Sequence, residues 1–373
     1  MSVVIVGAGL AGAKVAETLR ERGFDGEITL LGSEEHLPYE RPPLSKAVLL
    51  GEKEPDSATV HDEAWWREHD VDVRTGVEVQ SVDLDGHRVT TSAGELPYEW
   101  LVLATGSEPR RLRLAEEAGR PVHYLRTVED SLALRTALTE GARVAIVGAG
   151  WIGLEVAAAA RFAGAEVTVF ETAELPLLAV LGPEVAQHFA DLHRSHGVDL
   201  RLGTEVSAEV LADADLVVVG IGAAPRTALA EAAGLDVDGG VLVDELLRTS
   251  DDHVLAIGDI ASEQHPVLGR RVRVEHWDNA IGQGKAAAAT ILGAAEPYDR
   301  MPYFFTDQYD LGMEYWGHVG PDGYDRVVTR GDFSGPFRAW WVRDDTVVAA
   351  MQANDWDASD EMRASLGQPP PEA

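Results

Sequence analysis

Short apolar runs alternate with stretches of helical length from the start of the chain. Residues 3–6 form a β-branched run, residues 11–22 fit one alanine-rich helix, and residues 27–31 form a second apolar run. A strand, a helix and a strand in this order predict a βαβ unit whose two strands lie parallel in one sheet. The N-terminal part of the chain is therefore predicted to have an α/β fold.

The same pattern returns once, near the middle of the chain. A strand is predicted over residues 143–147, a helix over 152–163 and a second strand over 166–171. This pair of βαβ units is the one internal repeat of the sequence. Further strands are predicted over residues 71–75, 77–84, 100–106, 215–219 and 254–257, with a hairpin over 89–95.

The pattern changes after about residue 300. Apolar and polar residues alternate over residues 338–350, which predicts antiparallel strands. The proline-rich residues 367–371 predict a disordered tail. Aromatic residues cluster in this part of the chain, at Tyr303, Phe304, Phe305, Tyr309, Tyr315, Trp316, Trp340 and Trp341.

Each predicted βαβ unit carries a G-x-G-x-x-G fingerprint between its first strand and its helix. The first glycine permits the tight turn, the second lets the backbone approach a pyrophosphate, and the third allows close packing of helix on strand. The helix N-terminus then faces the phosphate charge. Because strand and helix flank both copies, the sequence predicts two dinucleotide sites. The fingerprint glycines are Gly7, Gly9 and Gly12 in the first unit and Gly148, Gly150 and Gly153 in the second.

An acidic residue follows each fingerprint at the distance expected for a ribose contact. In the second unit Glu171 ends the second strand, 18 residues after Gly153. A carboxylate there accepts hydrogen bonds from a free 2′-hydroxyl and repels a 2′-phosphate, which favours NADH over NADPH. In the first unit Glu34 and Glu35 follow Ser33 just past the second strand, and the alternative for them is a plain surface role.

Lys46 and Glu155 are a candidate pair between the two predicted sites. Glu155 lies on the first turn of the second helix, and Lys46 follows a proline-rich loop of the first unit. If the two dinucleotide domains face each other, both side chains reach the place where a flavin ring would meet a nicotinamide. A Lys–Glu pair there would tune the flavin and orient the incoming ring. Each residue alone is more often a solvated surface residue, and that alternative stays open.

Gly258 and Asp259 follow another buried strand. A carboxylate at this position is placed to contact the ribityl chain of a flavin. The alternative is an aspartate that caps the next helix, and the two roles are compatible.

The composition excludes several classes of chemistry. The 373 residues include no cysteine, which excludes disulfides, a thiol nucleophile and thiolate-ligated iron–sulfur clusters, and no metal site is predicted. A net charge of −32 argues against binding to nucleic acid or to anionic membranes. Two arginine runs, 110–113 and 270–273, are candidate docking patches for an acidic protein. With no signal peptide visible and no apolar stretch of membrane-spanning length, a cytoplasmic protein is expected.

The sequence resembles the FAD-dependent ferredoxin reductases that serve bacterial aromatic-ring dioxygenases and cytochromes P450, within the pyridine nucleotide-disulphide oxidoreductase superfamily. Nine segments carry the resemblance, in the order of the family and across nearly the whole chain. They are LPYERPPLSK at 37–46, ATGSEPR at 104–110, YLRT at 124–127, GWIGLE at 150–155, VGIG at 219–222, AIGD at 256–259, EHWDNA at 275–280, DQYD at 307–310 and VTRGD at 328–332.

The resemblance implies an α/β fold with two Rossmann-like dinucleotide-binding domains, one for FAD and one for NAD, and a small C-terminal α/β domain. It implies an FAD domain in two segments, 1–108 and 237–300, an NAD domain at 109–236 and a C-terminal domain at 301–373. Implied FAD contacts are Ala11, Arg41, Lys46, Val79, Arg126, Asp259 and Trp277. Implied NAD contacts are residues 148–155, with Ile152 among them, Glu171 and Gly222. Further cofactor contacts are expected in the matching segments at Ala104, Thr105, Gly106, Gly258, Glu275 and His276.

The activity implied by the resemblance is electron transfer from NADH through FAD to a small [2Fe–2S] ferredoxin, by a monomer or a homodimer. Lys46, Glu155 and Trp277 are the implied catalytic residues, with Trp277 on the electron exit route or, alternatively, a core filler. Two rival functions are an NADH oxidase-like flavoprotein that reduces oxygen or quinones, and a flavin-based redox-sensing interaction protein. Turnover with a one-electron acceptor distinguishes these functions.

Four positions depart from the family pattern. Ser33 replaces the usual acidic residue, so ribose binding is expected to shift to Glu34. Ala179 stands where the family usually has arginine, which would weaken cofactor binding. Residues 204–214 replace a longer hairpin, and residues 303–306 replace a more tryptophan-rich segment. The last departure makes the identity of the protein partner the least certain implication.

Overall fold

The computed structural model describes residues 1–294, 296–320 and 323–371. The chain forms two compact units. Unit one consists of Met1–Glu40, Asp56–Glu108 and Ala224–Pro302, and unit two consists of Arg41–Pro55, Pro109–Ala223 and the residues from Tyr303 onward. Two of the points at which the chain passes from one unit to the other lie in the short strands Ser107–Pro109 and Ala223–Pro225. The division into four segments at residues 108, 236 and 300 stays a prediction.

Unit one is built on a five-stranded sheet in which every neighbouring pair is parallel. Val3, Val4 and Ile5 of the central strand are all at most 2% exposed. A strand buried on both faces needs a continuous apolar run rather than an alternating one, which is what residues 3–6 supply. In spatial order the strands are Val254–Ala256, Trp100–Leu103, Ser2–Val6, Glu27–Leu31 and Val71–Arg74.

Two smaller sheets complete the strands of unit one. Val79–Asp83, Arg88–Thr91 and Gly94–Pro97 form an antiparallel meander, which confirms the predicted hairpin. Val241–Val243, Ala261–His265 and Arg270–Val272 form the other.

The two long helices of unit one, Leu10–Glu21 and Trp277–Ile291, pack closely together. Gly284 allows the approach, because a Cβ there would stand 2.7 Å from the Ala11 carbonyl oxygen. The helices of this unit are Leu10–Glu21, Glu63–Glu68, Ala228–Ala233 and Trp277–Ile291.

Unit two repeats the parallel sheet, which confirms the predicted α/β class with two Rossmann-like sheets. Its strands, in spatial order, are Asp199–Arg201, Glu166–Phe170, Arg143–Val147, Leu216–Val219 and Val122–His123. Its helices are Arg113–Glu117, Val128–Ala137, Trp151–Phe162, Leu178–Ser195, Ala208–Leu211 and Ser359–Ala364. The helix Ala208–Leu211 occupies the short segment 204–214.

The C-terminal part of unit two is a five-stranded antiparallel sheet with a core on each face. One core joins Trp341 and Met351 to Phe189 of the helix Leu178–Ser195. The other joins Trp340 to Met362 of the helix Ser359–Ala364. In spatial order the strands are Tyr303–Gln308, Leu311–Gly317, Thr346–Ala353, Phe337–Arg343 and Arg326–Gly331, which confirms the predicted antiparallel strands.

The expected disorder of the tail is wrong at its start. The Gly367 N–H donates to the Val347 carbonyl at 2.9 Å, and the Val347 N–H donates to the Gln368 carbonyl at 2.9 Å. These two bonds hold the start of the tail against the strand Thr346–Ala353, so the composition of the proline run does not decide the conformation of the residues before it. None of the described helices combines the length and the apolar character that crossing a membrane requires.

We expect Trp341→Phe to destabilise the protein by about 1–3 kcal/mol more than Trp340→Phe. The Trp341 indole N–H donates to the Leu181 carbonyl at 2.9 Å, so its loss leaves that buried oxygen without the bond. Trp340 is equally buried, but its indole nitrogen has no hydrogen-bond partner among the described residues. Urea denaturation of both variants measures the difference, and equal unfolding free energies would contradict the role given to the Trp341 bond.

Candidate dinucleotide sites and the buried Lys46–Glu155 pair

The first fingerprint forms a cradle at the carboxyl end of the central strand of unit one. A Cβ on Gly7, whose φ is +117°, would stand 2.1 Å from the Ala104 carbonyl oxygen, and one on Gly12 would stand 2.2 Å from the Gly7 oxygen. A Cβ on Gly9 would meet no atom within 4 Å. The outer glycines are therefore required for packing inside the protein, while the open side of Gly9 suits the close approach of a ligand.

The second fingerprint has the same geometry in unit two. A Cβ on Gly148, with φ +102°, would stand 2.4 Å from the Gly220 oxygen, and one on Gly153 would stand 2.1 Å from the Gly148 oxygen. Around Gly150 the nearest atom, the Gly220 oxygen, lies 3.9 Å away. This repetition makes the two cradles physically equivalent.

The helices that follow the two cradles begin without a side-chain cap. Gly9 and Gly150 stand at the N-caps of Leu10–Glu21 and Trp151–Phe162, in extended conformation. Unsatisfied N–H groups and the helix dipole make such an end a binding place for phosphate. Ile152, on this first turn, is 42% exposed.

Glu171 holds the second cradle together as well as facing it. One carboxylate oxygen accepts the Ala149 N–H at 2.7 Å, and the other accepts the Ala173 N–H at 2.9 Å. Two carboxylate oxygens offer about four acceptor positions, so capacity for hydroxyl donors is left over. The strand end thus places a negative charge beside the phosphate-binding turn, as predicted.

The first cradle differs at the corresponding strand end. Ser33 is exposed, and the Glu34 carboxylate accepts the hydroxyl of Tyr39. Glu35 lies against Gly76, where a Cβ would come within 2.6 Å of its oxygen. The shift of ribose binding from Ser33 to Glu34 stays a prediction.

Asp259 comes together with the first helix in unit one. Its carboxylate accepts the Ser107 hydroxyl at 2.6 Å. The preceding Gly258 has φ +72°, and a Cβ there would lie 3.3 Å from the Ala11 side chain. Thr105, two residues before Ser107, donates its hydroxyl to the Arg226 carbonyl at 2.8 Å. The Gly258–Asp259 turn therefore lies next to the first turn of the helix Leu10–Glu21.

A buried amide and a buried carboxyl, which the sequence analysis missed, support the Asp259 turn. The Gly258 N–H donates to Gln283 Oε1 at 2.7 Å, and Gln283 Nε2 donates to Glu263 Oε2 at 2.8 Å. Glu263 is 3% exposed, and burial raises its pKa to about 7. No local sequence pattern identifies Gln283, which lies inside an amphipathic helix.

Trp277 is the first residue of the helix Trp277–Ile291, and its side chain is half-buried. The neighbouring Glu275 is exposed and accepts Arg273 NH1, which also donates to the Asp259 carbonyl at 3.0 Å. His276 occupies the N-cap position. The two predicted roles of this indole, a part of the electron exit route or a core filler, both stay predictions.

The predicted pairing of Lys46 with Glu155 is confirmed within unit two. Lys46 Nζ lies 2.7 Å from Glu155 Oε1, and the Glu155 side chain is 4% exposed. Two hydroxyls that the sequence analysis missed also donate to this carboxylate, namely Ser45 and, at 2.6 Å, Thr306. Nearby, burial raises the pKa of Asp307, and the Lys46 ammonium opposes that rise. The carboxylate is thus buried with three donors instead of being solvated.

Arg41 and Arg126 are also brought together in unit two. A guanidinium N–H of Arg41 donates to the Arg126 carbonyl. The Arg126 N–H donates to the Asp130 carboxylate at 2.9 Å, and the Thr127 N–H donates to the same carboxylate to form the capping box at the start of the helix Val128–Ala137. Gly222, with φ +96°, accepts the Arg110 N–H at 3.0 Å.

The predicted site residues therefore fall into two sets, one in each unit. Unit one holds Gly7, Gly9, Ala11, Gly12, Ser33, Glu34, Val79, Ala104, Thr105, Gly106, Gly258, Asp259, Glu275, His276 and Trp277. Unit two holds Arg41, Lys46, Arg126, Gly148, Gly150, Ile152, Gly153, Glu155, Glu171 and Gly222. Within the described part of the chain, no three His, Asp or Glu side chains gather as a metal ion would require.

We expect Glu263→Gln to change how stability depends on pH. A carboxyl whose pKa rises from 4.5 to about 7 on folding stabilises the protein below pH 4.5 and loses that contribution as the pH rises through 7. The variant has no carboxyl to ionise at this position. Its unfolding free energy, relative to that of the native protein, should therefore rise by about 2 kcal/mol between pH 5.5 and pH 8. Urea denaturation at both pH values measures the gain. The exposed Glu78, changed to Gln, is the control and should show no such gain; a pH-independent effect of Glu263→Gln would refute the role of burial.

Comparison with known proteins agrees with this architecture. Residues 1–284 match the model of the family described as pyridine nucleotide-disulphide oxidoreductase, and residues 303–368 match the reductase C-terminal model. The ferredoxin–NAD(+) reductase component of the anthranilate 1,2-dioxygenase system of Burkholderia cepacia is 41% identical, over 99% of this chain and 95% of that protein. Putidaredoxin reductase of Pseudomonas putida is 38% identical, over 95% and 88%.

Solved structures are similar over the same length. The reductase of the covalent putidaredoxin reductase–putidaredoxin complex superposes with a TM-score of 0.92 at 36% identity, covering 98% of this chain and 94% of that one. The ferredoxin reductase of the CYP199A2 system of Rhodopseudomonas palustris superposes with a TM-score of 0.89 at 37% identity, covering 95% and 91%. Because residues 1–284, about three quarters of the chain, match this family model, the chain belongs to the pyridine nucleotide-disulphide oxidoreductase family.

Proposed function

We propose that the protein is an NADH-dependent flavoprotein reductase that passes electrons through FAD to a small [2Fe–2S] ferredoxin of an oxygenase system. The observation that carries the proposal is the pair of equivalent cradles, each with an open middle glycine in front of an uncapped helix. Two cradles in one chain fit two dinucleotides. Two relatives, 41% and 38% identical over 99% and 89% of this chain, are named as ferredoxin–NAD(+) reductase components of dioxygenase systems.

The cradle of unit one fits FAD. Gly9 and the first turn of the helix Leu10–Glu21 would bind the pyrophosphate, and Asp259 would accept hydroxyls of the ribityl chain. When held there, FAD would supply the chemistry that connects a two-electron donor such as NADH to a one-electron acceptor. Lining residues proposed for this cofactor in unit one are Ala11, Glu34, Val79, Ala104, Thr105, Gly106, Gly258, Glu275, His276 and Trp277.

The cradle of unit two fits NADH. Gly150 would face the pyrophosphate, and Glu171 would accept the ribose hydroxyls while repelling a 2′-phosphate. Because Glu171 also accepts the Ala149 N–H at 2.7 Å, the same carboxylate orders the phosphate-binding turn. Ile152 and Gly222 are the further proposed contacts.

Lys46 and Glu155 are proposed to act on the reacting rings. The ammonium and the carboxylate, 2.7 Å apart, form a dipole that is buried on the carboxylate side and 18% exposed on the lysine side. The exposed side of such a pair is free to bind a ring, while the buried side holds it in place. A fixed dipole of this kind orients the nicotinamide and adjusts the electron affinity of the flavin.

Charge does not favour docking on the two arginine runs. The Arg111 guanidinium lies over the Tyr124 ring at 4.2 Å, and Arg113 pairs with Glu117 at 2.7 Å. Arg271 donates to the carbonyls of Val243 and Ser262 inside unit one. These cations already have partners, so we propose that a ferredoxin is recognised through local shape and apolar contact more than through a basic patch. Since NADH is the proposed donor, we propose the cytoplasm as the place of action.

Anaerobic titration of the purified flavoprotein with NADH tests the function. We expect about one equivalent of NADH per FAD to bleach the flavin absorbance rapidly, and NADPH to do so much more slowly. Repeated turnover with a [2Fe–2S] ferredoxin should follow. A flavin that NADH leaves oxidised would refute the reductase; rapid bleaching with turnover on oxygen or quinone alone would support the oxidase instead, and reduced flavin that persists in the presence of ferredoxin would support the sensor.

We expect Glu171→Arg to move the NADPH/NADH preference toward NADPH by about ten-fold or more, because a charge-assisted bond to the 2′-phosphate replaces a repulsion. Steady-state kcat/KM for both nucleotides measures the ratio. Glu166→Arg is the matched control, since this exposed glutamate stands at the opposite end of the same strand. An unchanged ratio in Glu171→Arg would remove the residue from ribose recognition.

A further inference from the structure

A chain of buried hydrogen bonds leads from the Glu155 carboxylate into the interior of unit two. Thr306 Oγ1 donates to Glu155 Oε1 at 2.6 Å, and Gln308 Nε2 donates to Thr306 Oγ1 at 3.2 Å. Gln308 Oε1 lies 2.8 Å from His193 Nε2. Beyond it, the Tyr309 hydroxyl lies 3.4 Å from His193 Nδ1.

The fold places these residues in line. Thr306 and Gln308 alternate on the strand Tyr303–Gln308, so both point to the same face of the sheet. That face meets the helix Trp151–Phe162, which carries Glu155, and the last turn of the helix Leu178–Ser195, which carries His193. One edge strand therefore connects two helices through its polar side chains.

The acceptor at the end of the chain determines the direction of every bond. A carboxylate paired with an ammonium accepts hydrogen bonds and donates none, so the Thr306 proton must point at Glu155. The Thr306 oxygen then accepts from Gln308 Nε2, which leaves Gln308 Oε1 facing His193. The His193 ring must therefore carry its proton on Nε2 and donate it to Gln308.

Burial makes this direction stable. Thr306, Gln308 and His193 are each at most 1% exposed, so no water competes for their bonds. Burial also lowers the pKa of His193 to about 4, which keeps the ring neutral and leaves Nδ1 free to accept from the Tyr309 hydroxyl at neutral pH. Three donors aligned toward one carboxylate polarise one another and strengthen the last bond.

We propose that Thr306, Gln308 and His193 are positioning residues that hold the Glu155 carboxylate, and through it the Lys46 ammonium, in one orientation for the reaction with NADH. This inference rests on the proposed function, since it concerns the same Lys46–Glu155 pair. Thr306 Oγ1 and Lys46 Nζ contact the same carboxylate oxygen, Glu155 Oε1, and the three positioning side chains are more deeply buried than the lysine. The three side chains therefore act on the orientation of the Glu155 carboxylate.

Isosteric substitutions test the proposal. Thr306→Val keeps the volume and removes the donor, and Thr306→Ser restores the donor. We expect the limiting rate of flavin reduction by NADH to fall about ten-fold in Thr306→Val and to stay within about two-fold in Thr306→Ser, because small misplacements of reacting groups cost large factors in rate. Stopped-flow reduction over a range of NADH concentrations separates this rate from the NADH dissociation constant, which should change less.

A second readout follows the carboxylate directly. The infrared carboxylate stretch of protein labelled with 13C-glutamate, assigned by its loss in Glu155→Gln, should shift in Thr306→Val and return in Thr306→Ser. Gln308→Met, which interrupts the chain one step further back, should give a smaller shift and a rate loss of about three-fold. This second variant carries the test if Thr306→Val does not fold.

Gln352→Met is the matched control for Gln308→Met. Gln352 is 0% exposed in the same antiparallel sheet, and it donates to Glu314 at 2.9 Å instead of joining the chain. We expect it to lower the urea midpoint without changing the band or the rate. If NADH reduces the native protein and the rate is unchanged in both Thr306→Val and Gln308→Met, the positioning role alone is overturned. An infrared carboxylate band that does not shift in either variant also overturns it. Native protein that NADH does not reduce overturns the proposed function itself, and the positioning role with it.

Discussion

The contact between the third and the first glycine of each fingerprint is the constraint on which both sites depend. In each unit a Cβ on the third glycine would stand 2.1–2.2 Å from the carbonyl oxygen of the first. Without that Cβ, the helix begins directly against the end of the strand, and its free N–H groups face the open side of the middle glycine. The phosphate site is therefore a by-product of helix–strand packing, and a substitution that damages the packing also removes the site.

The two cradles share this backbone and differ in what surrounds it. In unit two the Glu171 carboxylate binds the turn itself through the Ala149 N–H, so the carboxylate proposed to contact the ribose also fixes the shape of the glycine turn. In unit one the Glu34 carboxylate contacts Tyr39 and Glu35 lies against Gly76, while Asp259 lies in a short 3-10 helix after the strand Val254–Ala256. Equivalent turns with different carboxylates explain how one architecture serves two dinucleotides in one chain.

Structural features that depend on local periodicity can be predicted from the sequence, whereas most contacts between side chains far apart in the sequence cannot. The parallel sheets, the glycine turns and Glu171 follow from apolar runs and spacing, because they involve residues close in sequence. The pairing of Lys46 with Glu155 is predicted from the places of the two residues, after the proline-rich loop of the first unit and on the first turn of the second helix. Thr306, which lies 151 residues from Glu155 in sequence, could not be found in this way. Its partner Gln308 shows no pattern beyond strand alternation, and His193 looks like an ordinary helix-end histidine.

Two buried glutamates illustrate why the surroundings of a side chain matter more than its burial. Glu263 and Glu155 are 3% and 5% exposed, and each accepts a hydrogen bond from inside its own unit. Glu263 has one amide donor, and burial raises its pKa to about 7, so near neutral pH it supports the Asp259 turn partly as a neutral acid. Glu155 has an ammonium and two hydroxyls, one of which is backed by a directed chain of donors. The surroundings of Glu263 suit a structural support. Those of Glu155 hold a charge in a fixed direction, which a group proposed to act on a hydride transfer requires.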